Sequence, residues 1–571
     1  MQKKKWVLLS RNNAREDVLR ISDEYNLPPV LATVLLNRGI ENIEEYIAPE
    51  TEKLHDPFLM KGMQEATERI LLAIERNEKI TVYGDYDVDG ITSTAVLVKF
   101  LTAHGADVGY YIPDRLEEGY GMNIGAIDAI AAQETKLLIT VDCGITAVSE
   151  INYAKEKGMD VIVTDHHECK DELPAAYCIL NPKQQDCSYP FKKLAGVGVV
   201  FKLLQALTIR MKYHMKELLE EYLDIVAIGT VADVMPLLGE NRIIVKKGLA
   251  LMKYTVNRGL MALIAQAEVD ASAVTAGTIG FILAPRINAA GRMGDPKTAV
   301  EMLLSEDERT AREYAAILDS ENRERQATEQ SIMEQALAIL ENNKSMQDDY
   351  VLVLDHEDWH HGIIGIVASK ISEQTGKPCI LISTTDGKGK GSGRSIKGFN
   401  LFRALENSGE LLTKFGGHEL AAGLSIEADK ISAFREKINK HAKEILVPDD
   451  FIPRIYVDTE LPIEYVNMNT AEKLTQLEPY GMGNGSPIFF ARGLKITGIR
   501  PLSEGRHIKL TLFKDGNSIE AVGFGMGSYL EEIKLNDIID ILFQVDINVF
   551  RGERHAQAVL KDMRFSDSGG E

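Results

Sequence analysis

Short apolar runs rich in β-branched residues alternate with helical segments between about residues 65 and 235. The runs at 79–83, 136–142 and 159–165 have the length and composition of buried strands. The segment at 91–105 has the pattern of a helix that ends at a glycine. Because repeated strand and helix build βαβ units, the pattern predicts a parallel sheet with helices on both faces.

Carboxylates and imidazoles follow these apolar runs at the point where each run ends. In an open α/β sheet, sites form outside the carboxyl ends of the strands, which parallel strands bring to one edge. We treat a later apolar run at 222–233 in the same way as the three strands before it. The pattern therefore predicts one site that collects Asp85, Asp87, Asp89, Asp142, Asp165, His166, His167 and Asp233.

The acidic run GDYDVDG at 84–90 has the spacing with which a calcium-binding EF-hand loop opens. An EF-hand that began at Asp85 would need a bidentate Glu at its twelfth position, where this chain has Val96. It would also follow a helix, whereas 79–83 has the pattern of a strand. The EF-hand is therefore disfavoured, and a solvated acidic turn without metal remains the alternative for this run alone.

The histidines beside the carboxylates narrow the choice of cation. Neutral imidazole suits transition metals such as manganese better than calcium, which prefers oxygen ligands. Because the carboxylates exceed the needs of one ion, they favour two ions about 3.5–4 Å apart. Asp142 stands alone at the end of its run, which makes it the natural bridging ligand. The alternative for His166 and His167 is a pair of core histidines whose ring nitrogens are hydrogen-bonded within the protein and bind no metal.

Composition bounds the class of protein. The chain has 571 residues, 45% apolar and 26% charged, which suits about three or four globular domains. It has no run near the roughly 18 apolar residues of a membrane span, and the N-terminal apolar run is too short for a signal peptide. The net charge of −21 argues against coating nucleic acid by bulk charge, but it permits an enzyme with a local basic track. The five cysteines form no CxxC pair, so we expect free thiols in a cytoplasmic protein.

Two motifs bear on other enzyme classes. The segment HEDWH at 356–360 matches the zinc-protease pattern HExxH, but a strand-like run leads into it and Gly362 follows it closely. The match is therefore attributed to chance. The chain has no Gly-Lys pair followed by Ser or Thr, hence no Walker A motif, and we expect no ATP requirement.

The remaining segments differ in pattern. Residues 305–345 are polar and lack Pro and Gly, which predicts one or two long, mostly solvated helices that bridge domains. A second α/β unit begins near residue 349 and runs to about 447. Beyond it, short alternating runs predict a small antiparallel barrel of OB type.

Basic residues occur in glycine-containing tracts that allow close approach to phosphate. The tract GKGKGSGRS at 387–395 is free of acidic residues, and its exposed backbone N–H groups together with Arg394 would grip phosphate. A flexible loop is the alternative. The segment GGH at 416–418 adds an imidazole, and PRINAAGR at 285–292 adds further basic groups. Arg115 is a single arginine, for which an ordinary surface residue is the alternative.

The motifs DYDVDG, VDCG, TDHH and GTVAD, in this order, resemble the four metal motifs of the DHH phosphoesterase superfamily. GSGRS and GGHELAAG resemble its DHH-associated C-terminal domain. PRINAAGR, WHHGIIGIVASK and EPYGMGNGSP resemble one branch, the bacterial RecJ family of single-strand-specific 5′→3′ DNA exonucleases. The resemblance covers nearly the whole chain, from about residue 55 to 565.

The resemblance implies two Mn²⁺ or Mg²⁺ ions and hydrolysis of single-stranded DNA from the 5′ end to 5′-mononucleotides, in recombination and in repair, including mismatch repair. It implies that His167 contacts the scissile phosphate. The implied metal ligands are Asp85, Asp87, Asp89, Asp142, His166 and Asp233, and the implied catalytic residues are Asp87, Asp89, Asp142 and His167. The implied phosphate-binding residues are Arg115, Arg286, Ser392, Arg394 and His418.

The resemblance also implies the domain plan and the partners. The expected domains are an N-terminal arm at 1–57, a DHH catalytic domain at 58–300, a connecting helix at 301–346, a DHH-associated domain at 347–450 and a nucleic-acid-binding OB domain at 451–567. Expected partners of a monomer are a RecQ-type helicase and a single-strand-binding protein. The rivals are a DHH phosphodiesterase for short oligonucleotides or cyclic dinucleotides, and a non-catalytic replication factor that binds nucleic acid. The OB-like tail argues against the first, and the intact metal motifs argue against the second.

Overall fold

The computed structural model describes residues 4–9, 13–115, 118–119, 121–343, 346, 348–550 and 552–566. Within this part of the chain, the strands form one two-stranded pairing, two five-stranded sheets and one six-stranded sheet. Helices accompany the five-stranded sheets, so the predicted mixed α/β class is confirmed. None of the described helices is both long enough and apolar enough to cross a membrane.

The N-terminal arm packs on the C-terminal barrel. Its strand runs parallel to the strand before the barrel, with Lys5 opposite Arg454. Leu31 and Leu35 are fully buried in the same apolar cluster as the barrel residue Phe489. The elements of the arm are β1 (Lys5–Leu8), α1 (Arg15–Glu24), α2 (Pro29–Arg38) and α3 (Ile43–Ile47).

Five parallel strands form the first five-stranded sheet: β2 (Ile80–Tyr83), β3 (Val108–Tyr111), β4 (Leu137–Val141), β5 (Asp160–Thr164) and β6 (Cys178–Leu180). Their spatial order is β3-β2-β4-β5-β6. The winding direction therefore reverses between β2 and β4, which is where α/β sheets open a crevice for ligands. The strands predicted at 79–83, 136–142 and 159–165 are confirmed, and β6 is an additional edge strand.

Helices cover both faces of this sheet, as predicted. One buried apolar cluster contains side chains from four helices, and a second cluster contains side chains from the other two. The four are α4 (Met63–Glu75), α5 (Val88–Ala103), α8 (Gly196–Met211) and α9 (Met215–Ala232); the other two are α6 (Ile124–Ala131) and α7 (Val148–Glu156).

The treatment of 222–233 as a strand is wrong, because this run is the second half of helix α9. Every residue from 222 to 230 is buried. A helix buried on all sides shows no 3.6-residue period, so its apolar run cannot be told from a buried strand by pattern alone. Asp233 follows the last helical residue as the C-cap.

A helical layer links the two α/β units. Its longest member has 35 residues and buries Ala311, Ala315 and Leu318 against the first unit. Farther along, Ile332 and Ala336 are buried against the second unit, so this helix bridges the two units, as predicted, with one buried face and the rest of its surface largely exposed. The layer comprises α10 (Gly239–Leu251), α11 (Arg258–Gln266), α12 (Ala276–Thr278), a π-helical turn (Ile279–Leu283), α13 (Ala284–Met293), α14 (Lys297–Leu304) and α15 (Glu308–Asn342).

The second α/β unit has a mixed sheet. Its strands are β7 (Leu352–His356), β8 (Cys379–Thr385), β9 (Lys388–Arg394), β10 (Leu412–Gly417) and β11 (Ala421–Glu427). Their order is β10-β11-β9-β8-β7, with β7 and β8 parallel and the other pairs antiparallel. The accompanying helices are α16 (Ile364–Thr375), α17 (Leu401–Glu406) and α18 (Ile431–Ile445). HEDWH begins in β7 and ends before α16, so no helix holds its two histidines on one face.

The glycine-rich tract at 387–395 is not a loop with exposed N–H groups, because most of it is β9 at the centre of this sheet. Its backbone pairs with β8 on one side and β11 on the other. The glycines alternate with larger residues, and the glycine face is packed. A Cβ atom on Gly389, Gly391 or Gly393 would lie 2.8–2.9 Å from Ile382, Leu424 or Leu401, respectively. The opposite face carries Lys388, Lys390, Ser392 and Arg394.

The C-terminal unit is a closed barrel, which confirms the predicted OB type. Five strands close on themselves through the pairing of β14 with β17, and β16 pairs with β18 in parallel. The elements are β12 (Arg454–Val457), β13 (Thr459–Glu460), α19 (Met468–Leu474), β14 (Phe489–Leu502), β15 (His507–Lys514), β16 (Asn517–Gly523), β17 (Ile538–Phe550) and β18 (Glu553–Phe565).

Candidate active site

The acidic run GDYDVDG turns the chain from β2 into α5. Asp87 caps the helix, and its carboxylate accepts a hydrogen bond of 3.0 Å from the backbone N–H of Gly90. A Cβ atom on Gly90 would lie 2.4 Å from the carbonyl oxygen of Asp85, so the turn requires glycine there. Asp85 is buried before the helix and Asp89 in its first turn, so this segment delivers three carboxylates to the edge of the sheet.

Asp89 is fixed by the start of α8. Its two carboxylate oxygens accept hydrogen bonds from the backbone N–H groups of Gly196 at 2.6 Å and Val197 at 2.7 Å. A Cβ atom on Gly196 would lie 2.6 Å from a carboxylate oxygen of Asp142. Glycine at 196 therefore lets two carboxylates from different elements, Asp89 in α5 and Asp142 after β4, approach the same helix end.

Asp142 follows β4 with a φ of 58°, in the left-handed region that is rare for residues other than glycine. Its Oδ1 lies 3.2 Å from Nε2 of His166. The same nitrogen lies 3.4 Å from Oδ2 of Asp233 and 3.9 Å from Oδ2 of Asp89. The structure thus gathers carboxylates from the start of α5, the end of β4 and the end of α9 around one imidazole that follows β5.

These groups leave several buried polar atoms without hydrogen-bond partners in the described part of the chain. The atoms are Oδ1 of Asp85, Oδ1 of Asp142, Oδ2 of Asp233 and Nε2 of His166. Buried polar atoms normally have hydrogen-bond partners, so a group of them that face one another without partners needs an explanation. All of these atoms can act as ligands of a metal cation. Ligand atoms lie within 4.8 Å of one another in three sets, Asp85–Asp87–Asp142, Asp89–His166–Asp233 and Asp142–His166–His167. Asp142 belongs to two sets, and His166 likewise to two, so the donors fit two neighbouring cations.

Burial and mutual repulsion perturb the titration of the cluster. Burial, with the nearby carboxylates adding to it, raises the pKa of Asp89 to about 7 and that of Asp233 to about 9. Burial and neighbouring carboxylates also raise the pKa of Asp85 and Asp142 well above the usual range. Burial lowers the pKa of His166 to about 3, so its imidazole is a neutral ligand. A bound divalent cation would favour the ionised carboxylates and so reverse their shifts.

Asp165 has a supporting role that the sequence did not assign to it. One of its oxygens accepts hydrogen bonds from the backbone N–H groups of His166 at 2.7 Å and His167 at 3.0 Å, and from Nδ1 of His167 at 2.8 Å. The other accepts from the backbone N–H of Ile145 at 2.9 Å. Burial alone would raise the pKa of Asp165, but the hydrogen bonds outweigh it and lower this pKa. Asp165 therefore fixes the ring of His167 at the cluster, and its place directly before two histidines was the available signal.

Three arginines meet beside the carboxylates. The Arg115 guanidinium lies 4.9 Å from the ring centroid of Tyr86, inside the acidic run. Nη1 of Arg292 donates to the carbonyl of Gly362 at 2.7 Å, and Nη1 of Arg394 donates to Oγ of Ser392 at 3.2 Å. Burial and the neighbouring guanidinium groups, including those of Arg115 and Arg394, lower the pKa of Arg292 to about 10. Crowded like charges of this kind suit a bound anion.

The N-terminus of α16 closes this arginine cluster. A Cβ atom on Gly365, in the first turn of α16, would lie 2.8 Å from Oγ of Ser392 and 3.2 Å from Nη2 of Arg394. Backbone N–H groups at a helix N-terminus favour phosphate. We define the arginine cluster as Arg115, Arg292, Arg394 and Ser392.

Two further residues expected to contact phosphate are Arg286 and His418. Nε of Arg286 donates to Asp319 at 2.9 Å and its Nη1 to the carbonyl of Ile282 at 2.7 Å, so its guanidinium is held against α15. His418 is exposed in the turn that joins β10 and β11. Arg292, rather than Arg286, lies with Arg115 and Arg394. The two side chains are on different faces of α13, because six residues along a helix turn the side-chain direction by roughly 240°.

Three family models match this chain. The DHH family, N-terminal domain, matches residues 79–230, the DHHA1 domain matches 348–444, and the RecJ OB domain matches 457–562.

Curated and solved relatives extend the match to nearly the whole chain. Single-stranded-DNA-specific exonuclease RecJ from Bacillus subtilis (strain 168) is 39% identical over 559 residues, which cover 97% of this chain and 70% of the relative. The protein of the same name from Escherichia coli (strain K12) is 34% identical over 94% of this chain and 96% of its own length. The crystal structure of RecJ in complex with Mn²⁺ from Thermus thermophilus superposes with a TM-score of 0.86 at 30% identity, covering 99% of this chain and 80% of that one. The chain therefore belongs to the RecJ family.

Proposed function

We propose that this protein is an exonuclease that hydrolyses single-stranded DNA from the 5′ end and releases 5′-mononucleotides. The observation that carries the proposal is that the arginine cluster adjoins the carboxylate–imidazole cluster, with Tyr86 and Arg115 at their junction. DNA strands usually end in a phosphate at the 5′ end and a hydroxyl at the 3′ end. A terminal phosphate held beside the hydrolytic centre would therefore set both the direction of digestion and the size of the product.

The donor set fits divalent cations, and two solved relatives are complexes with Mn²⁺ and with Mg²⁺. Asp87, Asp89, Asp142, His166 and Asp233 would hold them, with Asp85 lining the site. When bound, such ions make water a better nucleophile and neutralise charge on the leaving 3′ oxygen. No ATP is required.

The remaining chemistry belongs to side chains of the chain. His167, held by Asp165 at 2.8 Å, donates to an oxygen of the scissile phosphate and stabilises the charge that develops there. The arginine cluster and the N-terminus of α16 hold the terminal phosphate and so position the next phosphodiester bond. The barrel leads the single strand towards the edge between the two α/β units.

The biological setting follows from the substrate. A single-strand exonuclease acts in DNA repair and recombination, including mismatch repair, and we infer a cytoplasmic monomer. A RecQ-type helicase and a single-strand-binding protein would supply and present its substrate.

Strands labelled at the 5′ or 3′ end, single or duplex, test the proposal in Mn²⁺ and in Mg²⁺. We expect labelled mononucleotide first from 5′-labelled single strands, and slow release from duplex. In Asp142→Asn the rate should fall by about a thousandfold or more while DNA binding is kept, as when a transition-state contact is removed. Release first from the 3′ end would contradict the polarity, and a near-normal rate in the variant would contradict the metal assignment.

A further inference from the structure

A cavity of about 460 Å³ opens next to the arginine cluster. Arg115 and His361 line it from one side, and Lys390, Lys414, Gly416 and Gly423 line it from the second sheet. The carboxylates and imidazoles of the candidate metal centre are not among its described lining residues.

The cavity continues from the arginine cluster, away from the carboxylates. Lys390 lies two residues before Ser392 in β9, so both side chains are on the same face. Gly423 is the register partner of Ser392 in β11, and Gly416 is the partner of Gly423 in β10. A ligand held by Ser392 and Arg115 would therefore meet this cavity as it extends past the cluster.

Missing side chains create the space. A Cβ atom on Gly416 would meet no atom within 4 Å, and one on Gly423 would meet only the carbonyl oxygen of Gly391, at 3.8 Å. Packing of the described residues does not require glycine at these two positions, in contrast to Gly391, where a Cβ would lie 2.9 Å from Leu424. The two glycines leave a flat backbone floor between Lys390 and Lys414.

The charge around the cavity is positive. Lys390, Lys414 and Arg115 line it, and burial together with Lys390 and Arg115 lowers the pKa of His361 to about 4. The acidic group among the described lining residues, Glu118, already accepts hydrogen bonds from the Tyr111 hydroxyl at 2.9 Å and from the Asn123 amide at 2.7 Å. The cavity therefore suits an anion.

The lining offers little aromatic surface on which a base could stack. Its described ring side chains are His361 and Phe415, and Phe415 packs against Phe402 at 5.9 Å between ring centroids and against the core of the second unit. Flexible lysines around a glycine floor favour phosphate groups over a nucleobase.

We propose that this cavity receives the outer phosphates of a 5′-polyphosphorylated strand. The inference rests on the proposed function, because the α-phosphate would occupy the arginine cluster. The protein would then digest a 5′-triphosphorylated strand and release a nucleoside 5′-triphosphate as its first product.

The chemical step is the same hydrolysis as on a 5′-monophosphate end. The oxygen of water forms a bond to the phosphorus between the first and second nucleotides, and the bond from that phosphorus to the 3′ oxygen of the first nucleotide breaks. The 3′ oxygen takes up a proton, and the shortened strand keeps a 5′-phosphate. No bond within the triphosphate breaks.

The test uses one DNA oligonucleotide with a 5′-hydroxyl, 5′-monophosphate or 5′-triphosphate end, in Mn²⁺, with products separated by anion-exchange chromatography. We expect nucleoside triphosphate as the first product of the triphosphate strand. In the double variant Lys390→Ala, Lys414→Ala, kcat/KM for that strand should fall about tenfold or more, as expected for lost charge-assisted contacts, with the monophosphate strand affected less than about twofold. Lys388→Ala, on the same strand face outside the cavity lining, is the matched control. It should leave kcat/KM unchanged for the strands with each of the three 5′ ends.

The outcomes separate this inference from the proposed function. Digestion of the monophosphate strand but not the triphosphate strand would overturn the inference and leave the function standing. Equal losses for both strands in the double variant would also overturn it, because the cavity would then hold the first nucleoside. Failure to digest the monophosphate strand as well would overturn both.

Discussion

At the scale of single residues, the candidate metal centre is defined by buried atoms that lack partners. A buried polar group without a hydrogen bond costs about 1–3 kcal/mol, so a cluster of them destabilises the fold unless a ligand offsets it. Oδ1 of Asp142 and Nε2 of His166 are such atoms within the described chain. The centre is therefore built for an ion rather than for the stability of the empty protein.

Without a cation, the centre should make stability depend on pH. Burial raises the pKa of Asp89 to about 7 and of Asp233 to about 9 from an ordinary 3.8, so the folded state holds more protons than the unfolded state in this window. Stability of the chelated protein should therefore be greatest at about pH 4 and below as far as these groups decide it, and fall as pH rises from there towards 9. Thermal unfolding in EDTA from pH 5 to 9 measures this.

Added Mn²⁺ should raise the melting temperature more at pH 8 than at pH 6, because fewer protons compete with it. Asp233→Asn is the control and should flatten the upper part of the pH dependence. A melting temperature of the chelated wild type that rises from pH 6 to 9 would contradict the assignment.

Asp165→Asn should disturb the position of His167. The Asn amide group would face an N–H donor, either that of Ile145 or that of His167, so one buried hydrogen bond would be lost at a cost of about 1–3 kcal/mol. We expect lower kcat, little change in KM and a lower melting temperature. Glu168→Gln, at the next position after the histidines, is the control. A variant with normal kcat would show that the ring does not depend on Asp165.

The residue-scale predictions are firmest where topology alone fixes the geometry. Carboxyl ends of parallel strands meet at one edge, so Asp142 and His166 could be placed together from the sequence. The choice between Arg286 and Arg292 depends on which side of α13 faces Tyr86, and the sequence does not show the rotation of a helix about its axis. Here, a Cβ on Gly291 would lie 2.7 Å from the carbonyl oxygen of Tyr86, which places Arg292 at the site.

At the scale of elements, β9 shows how glycine can build a strand. Glycine-rich tracts usually form loops because glycine costs more backbone entropy when ordered. In β9 the glycines lie where neighbouring side chains leave no room for a Cβ atom, and the alternate positions carry polar groups to the arginine cluster and the cavity beside it. The alternation of glycine with a polar residue in KGKGSGR has the period of two that is typical of a strand. The signal was hidden because glycine and lysine are both uncommon in strands.

Gly391→Ala should destabilise the second α/β unit. The new methyl group would lie 2.9 Å from Leu424 in β11, so we expect a loss of about 1–3 kcal/mol in the free energy of unfolding. Chemical denaturation followed by fluorescence or circular dichroism measures it. Lys388→Ala, an exposed change in the same strand, should cost little, and equal effects in the two variants would contradict the packing argument.

At the scale of the whole molecule, three distant segments meet around Arg242 of α10. Its guanidinium lies 3.8 Å from the Tyr46 ring and donates to the carbonyls of Tyr46 at 2.7 Å, Leu477 at 3.1 Å and Glu478 at 2.9 Å. Nearby, Arg38 of the arm pairs with Asp458 at 2.7 Å. These contacts hold the arm and the barrel against the first α/β unit.

Arg242→Gln should loosen that junction. Several buried carbonyls would lose donors, so we expect a loss of about 3 kcal/mol and faster hydrogen exchange in the arm and the barrel. Affinity for long single strands should fall, while cleavage of very short ones is kept. Lys247→Ala on the same helix is the control. Unchanged exchange in the barrel would contradict a role of Arg242 in docking it.

The pairing of Lys5 with Arg454 has a consequence for synthesis. The arm is synthesised before the first α/β unit, yet its strand partner and the barrel that covers Leu31 and Leu35 are synthesised after both α/β units. Contacts between such distant positions form slowly, because a very long loop must close first. The arm thus waits, with these apolar side chains not yet covered by the barrel, until the barrel itself has been synthesised.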